Sequence, residues 1–339
     1  MLRSFPMILL GFAAVQSAAP AVEAPMIPAL PKAVSSLGSV ECDGYLYIYG
    51  GHAGKTHTYS TKDVLGTFHR YKLQGGTHWE ELPGGPILQG MNLAAHGGKI
   101  YRIGGMKPRN EPTQPSDNVS VVEAARFDPK TNKWEALPPL PAGRSSHDLV
   151  AVGDKLVVVG GWQSRGKGTA AVWHDTALIL DLSAKELDWR QVTQPFQRRA
   201  LTATAVGTKV YVLCGLDAKA EAHNRVDIFD VATEKWSTGP DVPGGRIGFS
   251  PAANTVVGRL IISTSEGVVF RLTEPGEVWE KVGTSAAKRI VHRLIPHGKD
   301  ALLVGGAIPG VGNAAEIEIV KLAEKGEKVV ATPKPGIEK

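Results

Sequence analysis

Short apolar runs that end in paired glycines recur along this chain. Three of them are spaced about 55 residues apart, and they read YLYIYGG at 45–51, KIYRIGG at 99–105 and KLVVVGG at 155–161. Short runs rich in Val, Ile, Leu and Tyr, bounded by glycines and prolines, are typical of β-strands. Long apolar stripes with helical spacing are missing from the sequence. The pattern therefore predicts an all-β protein.

The same design continues towards the C-terminus, where it reads KVYVLCG at 209–215, RLIISTS at 259–265 and DALLVGG at 300–306. A tryptophan follows each of the first five runs. These tryptophans are Trp79, Trp134, Trp189, Trp236 and Trp279. The region from Ser35 to Leu322 thus divides into units of about 48 residues, the size of a four-stranded propeller blade. We count six such units.

The third unit shows the expected order of strands most clearly. We predict an innermost strand at Ser146–Val152 and a second strand at Lys155–Val159. A third strand at Ala177–Asp181 and an outermost strand at Asp188–Val192 complete the unit. Turn-forming residues separate consecutive strands, so the unit is an antiparallel meander. Six meanders around one axis form a closed propeller, and we expect a single domain at residues 24–322.

The repeated glycines and tryptophans have mechanical roles in this scheme. Paired glycines allow close backbone approach near a crowded axis and dihedral angles that other residues avoid. The glycine pairs are Gly50 and Gly51, Gly104 and Gly105, Gly160 and Gly161, and Gly305 and Gly306. Each tryptophan is expected to pack between neighbouring blades, where its indole N–H can bond a neighbouring carbonyl. We interpret both sets as structural.

Two longer segments carry a family resemblance. FDPKTNKWEALPPLPAGRSSH at 127–147 and FDVATEKWSTGPDVPGGR at 229–246, together with the glycine pairs, resemble kelch repeats. The likeness covers Ser35 to Leu322, although the fifth unit has Ser263–Glu266 where a glycine pair is expected. The resemblance implies a six-bladed β-propeller with four-stranded antiparallel blades.

The two ends of the chain suggest how the ring closes. The sixth unit lacks a tryptophan-containing outer strand, while LPKAVSS at 30–36 is similar to LPAGRSS at 140–146. We therefore expect the N-terminal segment Ala24–Val34 to complete the last blade, which would leave no open edge. The Lys-rich tail at 323–339 is predicted to be disordered.

The first residues have the pattern of an export signal. Arg3 precedes an apolar stretch from Phe5 to Val15, and small residues follow it. This is typical of a secretory signal peptide, here assigned to residues 1–19, and it predicts a periplasmic or secreted protein. An uncleaved, buried N-terminal segment is the alternative. The stretch is too short to span a bilayer, and no later segment is longer.

Charge and cysteine content narrow the possible partners. The formal charge is +5, but the basic residues are scattered without interleaved aromatic residues, which argues against a nucleic-acid partner. Cys42 and Cys214 fall in opposite units of the ring, too far apart for a disulfide. We expect two buried free thiols and a monomeric protein.

Residues just before each inner strand should converge on one end of the central channel. Aligned on the glycine pairs, four units supply arginines there, and we take them as candidate ligand-binding residues. These are Arg144, Arg199 beside Arg198, Arg246 and Arg289, with Gln89 and Ser35 in the same place in the second and first units. The cluster could bind a carboxylate, sulfate or phosphate. Alternatively, each arginine braces a carbonyl or acid between blades.

Loops after the glycine pairs should line the same end of the channel. They span Gly51–Asp63, Met106–Asn118 and Trp162–Asp175, and they are long and polar. Such loops on a rigid scaffold often bind ligands, although exposed mobile loops are the alternative. From this region we select His52, Trp162 and Asp217 as further candidate ligand-binding residues.

The sequence contains no clear catalytic or metal-binding pattern. His52 and His57 have a spacing common among non-ligands, and a third ligand cannot be named. Ser145–Asp148 contains serine, histidine and aspartate in one strand, where neighbours point to opposite faces and cannot form a triad. We predict no metal and no cofactor.

Two functions from different classes remain. The first is a recognition module that binds a glycan, peptide or protein, with an acidic ligand among the options, through channel-end loops that include Tyr59 and Trp173. The second rests on similarity to exported N-acetylneuraminate mutarotases, which implies an acidic catalytic residue after a middle-blade strand. Asp217, with Arg225 nearby, is the candidate for that role. The fold alone cannot decide between them.

Overall fold

The computed structural model describes residues 27–56, 58–245, 250–273 and 278–329. These residues form β-strands, turns and loops, and they contain no helix. No helix that could cross a membrane occurs among them either. The strands are arranged as six successive antiparallel sheets around one axis, so the prediction of an all-β, six-bladed propeller is confirmed.

Each blade follows the chain from its inner to its outer strand. Blade 1 consists of β1 (Gly38–Cys42), β2 (Tyr45–Tyr49), β3 (Phe68–Lys72) and β4 (Glu80–Leu82). Blade 2 consists of β5 (Leu93–His96), β6 (Lys99–Ile103), β9 (Ala124–Asp128) and β10 (Lys133–Leu137), with a hairpin of β7 (Met106–Pro108) and β8 (Asn118–Ser120) in its loop. Blade 3 consists of β11 (Ser145–Val152), β12 (Lys155–Gln163), β14 (Thr176–Asp181) and β15 (Trp189–Thr193), with β13 (Val172–Trp173) paired to β12.

The second half of the ring repeats this order. Blade 4 consists of β16 (Thr202–Val206), β17 (Lys209–Leu213), β18 (Val226–Asp230) and β19 (Lys235–Gly239). Blade 5 consists of β20 (Ala252–Val256), β21 (Arg259–Ser263), β22 (Val268–Leu272) and β23 (Trp279–Thr284). Blade 6 contains β24 (Arg293–His297), β25 (Asp300–Val304) and β28 (Glu318–Val320), with a hairpin of β26 (Ala307–Ile308) and β27 (Gly312–Asn313) in its loop, and β29 (Glu327–Val329) follows.

The hydrophobic core lies between the blades. Each pair of neighbouring blades encloses its own cluster of buried side chains, and the ring of six blades has six clusters. In β12, Leu156 and Val158 pack against blade 2, whereas Val157 and Val159 pack against blade 4. Side chains alternate between the two faces of a strand, so a strand buried on both faces is apolar throughout. This explains runs such as KLVVV.

The tryptophans connect neighbouring blades as predicted. Each indole Nε1 donates to a carbonyl at the end of the preceding blade's outer strand. The bonds are Trp134 to Pro83 (2.7 Å), Trp189 to Pro138 (2.8 Å), Trp236 to Thr193 (2.9 Å), Trp279 to Pro240 (3.1 Å) and Trp79 to Ala29 (2.9 Å). Each of these five residues therefore joins two blades through its indole N–H.

The glycine pairs also join neighbouring blades. Gly104 has a φ of 62°, and a Cβ atom there would lie 2.5 Å from the carbonyl oxygen of Arg144 in the next blade. The N–H of Gly105 donates to that same carbonyl at 2.8 Å. In blade 4, Cys214 takes the first glycine's place with a φ of 63°. Cys214 and Cys42 are buried free thiols, as expected.

The N-terminal segment docks against the last blade as expected. Leu30 and Val34 donate backbone hydrogen bonds to Ala315 (2.8 Å) and Ala314 (3.2 Å), just before β28. Trp79 of blade 1 bonds the carbonyls of Pro28 and Ala29, as other tryptophans bond the residue after an outer strand. This equivalence gives Pro28 and Ala29 of the N-terminal segment the place that the end of an outer strand has in other blades. Residues 24–26, like the predicted signal peptide at 1–19, lie outside the described residues.

The C-terminal tail differs from the prediction of disorder. Residues Glu327–Val329 form β29, which pairs with β23 and gives blade 5 a fifth strand. Val329 packs against the cluster that contains Trp279, and Gly326 leaves room for close approach to Lys281. Composition alone suggested disorder because the tail is rich in lysine, but an open sheet edge can pair a short polar segment through its backbone. Residues 330–339 lie outside the described residues.

Candidate functional site

A closed ring of backbone hydrogen bonds surrounds the axis at one end of the channel. One residue from each blade contributes, and its N–H donates to the carbonyl of the preceding blade over 2.6–3.1 Å. The six residues are Ser36, Gly90, Ser146, Ala200, Ser250 and Val291, and their φ angles all lie between 47° and 62°. We call this the hub ring. The loops after the glycine pairs project at this end, which we call the mouth.

Polar side chains connect the inner strands below the hub ring. The buried carboxylate of Asp148 accepts hydrogen bonds from Asn92 (2.9 Å), Thr202 (3.2 Å) and a backbone N–H of blade 4 (2.7 Å). Arg293 donates to carbonyls of blades 1 and 2 at 2.7 and 2.6 Å. Beyond this belt, a cavity of about 260 Å³ extends between the inner strands towards their hairpin turns. The mouth and this cavity are therefore separate regions.

The sequence left two roles open for the channel arginines, ligand binding and bracing of the blades. Arg144 and Arg289 have the contacts of the bracing role. Arg144 is buried and donates to the carbonyls of Gly160 (3.2 Å) and Thr176 (2.7 Å) in its own blade. Arg289 donates to the carbonyl of Gly305 (3.2 Å) and to the Glu318 carboxylate (3.0 Å). Burial lowers the pKa of Arg144 to about 9, and the negative charge of Asp175 offsets only part of that shift. Both guanidinium groups hold a glycine pair against the third strand.

Arg198 shows the same bracing role in blade 4. It donates to the carbonyl of Cys214 at 2.6 Å and forms an ion pair with the fully buried carboxylate of Asp227. The equivalent residues are Arg144, Arg198 and Arg289, each two positions before a residue of the hub ring. The sequence alignment placed Arg199 at the position of Arg144, but the structure places Arg198 there. Arg246, the fourth candidate, and His57 lie outside the described residues.

Arg199 occupies the next position and faces different neighbours. It pairs by a backbone bridge with Leu216, as Gln89 pairs with Met106 in blade 2. Its guanidinium lies 4.2 Å from the ring centroid of Trp162 and 5.7 Å from that of Trp173, both in blade 3. The two indole rings are 5.6 Å apart. Trp162, Trp173 and Arg199 thus form one half-buried cluster, which we call the mouth cluster.

His52 supports an aromatic residue near the same cluster. Its Nε2 atom lies 2.6 Å from the carbonyl oxygen of Thr58, and its ring lies 5.1 Å from that of Tyr59. Burial raises the pKa of Tyr59, and the positive charge of Arg199 opposes that rise. Tyr59 of blade 1 and Arg199 of blade 4 are therefore close enough to interact electrostatically. His52 is buried and positions the Tyr59 loop.

The loops of blades 1 to 3 are joined by hydrogen bonds. Asn110 donates to the Tyr59 carbonyl at 2.7 Å, which connects the loops of blades 2 and 1. Ser120 and Ser164 connect the loops of blades 2 and 3 through two bonds of 2.8 Å. A set of loops joined in this way presents a defined surface. These contacts support the interpretation of the loops as a binding surface over the alternative of exposed mobile loops.

Asp217 lies in the loop after Leu216 and is held by its neighbours. Its Oδ2 atom is 3.0 Å from His223 Nε2, and its Oδ1 atom accepts from the backbone N–H groups of Lys219 and Glu221 at 2.9 Å. The hydrogen bond from His223 lowers the pKa of Asp217. Arg225 lies 3.4 Å from Asp227 instead of pairing with Asp217. The two catalytic candidates, Asp217 and Arg225, thus have different partners in the described structure.

The same loop contains a metal-binding geometry that the sequence analysis did not identify. Ligand atoms of Asp217, Glu221 and His223 lie within 4.8 Å of one another. Carboxylate oxygens and an imidazole nitrogen can bind a divalent transition metal. The Asp217 oxygens already accept the hydrogen bonds described above, and Glu221 is exposed. These contacts account for the arrangement without an ion.

Comparisons with known proteins agree with the observed repeats. The family described as "KLHDC2/KLHL20/DRC7 Kelch-repeats domain" matches residues 90–306, which is more than half of the chain. Kelch-like protein 35 of Mus musculus is 24% identical over 220 residues, covering 64% of this chain and 33% of that protein. The Kelch-like protein terF of Aspergillus terreus is 26% identical over 269 residues, covering 75% of this chain and 55% of that protein.

A solved structure shows the same fold at low sequence identity. The structure of YjhT superimposes with a TM-score of 0.70 and 16% identity, covering 90% of this chain and 99% of that one. The matched region spans about a third of Kelch-like protein 35 and about half of terF. Both proteins therefore extend well beyond the part that resembles this chain. The family match, the glycine and tryptophan landmarks and the closed ring of blades agree, and the chain belongs to the kelch-repeat family.

Proposed function

We propose that this chain is a recognition module that binds a protein partner at the mouth. Kelch propellers are typically protein-binding modules, which supports a protein or peptide over a glycan. The proposal rests mainly on the mouth cluster, where Trp162, Trp173 and Arg199 lie together near Tyr59. Tryptophan, tyrosine and arginine are the residues most enriched at the energetic centres of protein interfaces. Loops joined by hydrogen bonds reduce the entropy lost when a partner binds.

A matched pair of crosslinking variants tests the position of the interface. Val172 is 43% exposed beside Trp173, whereas Val257 is 74% exposed at the opposite end of the channel. With a photoreactive benzoylphenylalanine at each position, we expect a discrete crosslinked partner from position 172 and none from position 257. Mass spectrometry of irradiated cells expressing each variant provides the measurement. Crosslinks only from position 257 would place the interface at the other end and contradict the proposal.

The predicted export signal remains part of the proposal. Residues 1–19 have the pattern of a secretory leader, and they lie outside the described residues. We propose that the partner is met in the periplasm or outside the cell. The irradiated cells should be fractionated so that the crosslinked species can be assigned to a compartment.

Mutarotation of a sugar is the second candidate, and the contact between Asp217 and His223 supports it. In this reaction a base removes the proton of the anomeric hydroxyl while an acid protonates the ring oxygen, and the bond between the anomeric carbon and the ring oxygen opens and closes again. A carboxylate hydrogen-bonded to an imidazole at 3.0 Å can carry out both proton transfers. The pair is partly exposed and could reach a sugar.

Proton NMR of anomer interconversion tests this second candidate. With N-acetylneuraminate or glucose, we expect the wild type to accelerate interconversion and Asp217→Asn to reduce the acceleration at least 100-fold, as for loss of a general base. Asp154→Asn removes a carboxylate at the opposite end of the channel and serves as the control. No acceleration by the wild type removes this candidate and leaves the recognition module.

A further inference from the structure

Arg199 differs from the bracing arginines and from Arg109 in its lack of a polar partner. Arg198 binds the carboxylate of Asp227, Arg289 binds that of Glu318, and Arg109 in a mouth loop binds Asp117 at 2.9 Å. Arg144 donates to carbonyl oxygens. Within the described ranges, the Arg199 side chain forms no hydrogen bond or ion pair, and its close neighbours are the two indole rings. It is a cation without a counter-charge.

The half-buried environment of Arg199 makes the lack of a counter-charge energetically unfavourable. The residue is half-buried, and burial lowers its pKa, while the nearby Tyr59 acts in the opposite direction. A charge removed from water is unfavourable unless an opposite charge or hydrogen bonds compensate it. Contact with indole faces compensates only part of that cost. An anion placed beside this guanidinium would therefore gain more than one placed beside the paired arginines.

Unmatched hydrogen-bond donors occur at the same level of three neighbouring blades. Buried atoms without a partner in the described structure include Arg199 Nε in blade 4, Trp162 Nε1 in blade 3 and Gln89 Nε2 in blade 2. Among the buried atoms without a partner in the described mouth loops, one is an acceptor, Asn118 Oδ1. Donors thus exceed acceptors around the mouth cluster. The complementary ligand group offers acceptors and carries negative charge.

We propose that the mouth cluster binds the carboxylate of a glutamate or aspartate side chain in the partner protein. This inference rests on the proposed function and specifies the chemistry of its ligand. A planar guanidinium can bind both oxygens of a carboxylate through parallel hydrogen bonds. The indole faces of Trp162 and Trp173 can cover the methylene groups of the acidic side chain. One unpaired guanidinium matches one negative charge.

The neighbouring carboxylates do not compete for this position. Asp63 accepts a hydrogen bond from Ser60 Oγ, and Glu111 accepts one from Thr61 at 3.0 Å. Asp117 binds Arg109 and the backbone N–H of Lys167. These acidic side chains of the mouth loops are held by their own neighbours. Within the described ranges none of these three carboxylates completes Arg199, and the inference assigns that role to the partner protein.

Paired peptide arrays test the inference with the full-length protein. One array carries nonapeptides with a central glutamate and varied neighbours, and a second carries the same peptides with a central glutamine. We expect at least a tenfold preference of the wild type for the glutamate member of the binding pairs. Arg199→Gln should abolish that preference, and Arg199→Lys should retain only part of it, because lysine keeps the charge but not the planar fork.

The controls separate this inference from the proposed function. Arg190→Gln removes an exposed arginine paired with Glu234 on the blade side and should leave the preference unchanged. Urea unfolding of each variant confirms that it is folded. Equal binding of both arrays, or a preference that survives Arg199→Gln, overturns the carboxylate assignment while crosslinking at position 172 still supports a mouth interface. Loss of crosslinking at position 172 overturns the proposed function and the inference together.

Discussion

Replacing Arg198 by glutamine is expected to lower the free energy of unfolding by about 3–5 kcal/mol. The Arg198 side chain is 4% exposed, and that of its partner Asp227 is fully buried. Removing the guanidinium leaves a buried carboxylate, and among the described residues the partly exposed Arg225 at 3.4 Å is the remaining cation in contact with it. The carbonyl of Cys214 also loses a donor. Urea unfolding followed by tryptophan fluorescence measures the change.

The ion pair of Arg190 and Glu234 is the matched control for this experiment. It also joins an arginine to a carboxylate through two contacts, but its side chains are 49% and 43% exposed. Arg190→Gln should therefore cost only about 0–1 kcal/mol. The double variant Arg198→Gln/Asp227→Asn should recover part of the loss because no charge remains buried. If Arg198→Gln costs no more than Arg190→Gln, the assigned role of Arg198 is wrong.

The stability of the propeller is expected to fall steeply between pH 7 and pH 5. Burial, with a contribution from the charge of Arg144, lowers the pKa of His147 to about 3. Burial also lowers the pKa of His292 to about 3, and the charges of Arg289 and Arg293 add to this effect. Both residues directly follow the hub ring in their blades, where Nε2 of His147 donates to the Ile103 carbonyl at 3.1 Å.

Stability falls with falling pH because the unfolded and folded states bind different numbers of protons. In the unfolded chain both histidines bind protons below about pH 6.5, whereas in the folded protein they stay neutral until about pH 3. The unfolded state thus takes up more protons as the pH falls, and stability decreases. The contribution is fully present above pH 6.5 and is lost towards pH 3. From pH 7 to pH 5 the two residues together remove about 4 kcal/mol.

Urea unfolding at several pH values between 5 and 8 measures this dependence. The variant His147→Gln/His292→Gln is expected to be less stable at pH 7 but to depend less on pH, because its buried amides do not titrate. His78→Gln, which changes an exposed histidine, should retain the full pH dependence. A wild-type protein with equal stability at pH 5 and pH 7 would contradict the buried, neutral state of these two side chains.

Periodic features of the sequence were sufficient to predict the fold. The glycine pairs and tryptophans repeat because blades form the same two contacts with their neighbours. In blade 2 these are the close backbone approach at Gly104 and the indole hydrogen bond of Trp134. Identical physical requirements leave identical residue types, so the six-bladed ring could be predicted. The pairing of β29 could not, since it depends on a free sheet edge and not on a distinctive side-chain pattern.

The candidate site was only partly predictable, and Arg198 and Arg199 show why. The two arginines are adjacent in the sequence, but the side chains that they contact in the folded protein belong to other strands and other blades. The one bound to Asp227 braces its blade, while the other reaches Trp162 and Trp173 in blade 3. The hub ring was also missed because its members are serine, glycine, alanine and valine residues that share a backbone conformation and no side-chain type.

The hub ring also determines what the backbone contributes to the electric field along the channel. Every N–H in the ring points to the preceding blade in the same rotational sense, so the peptide dipoles run tangentially around the axis. Six dipoles in a circle sum to nearly zero along the axis, unlike the aligned dipoles of a helix end. The hub ring therefore adds little to the electric field along the axis in either direction. Any selection by charge at that entrance depends on groups outside the ring, above all on side chains.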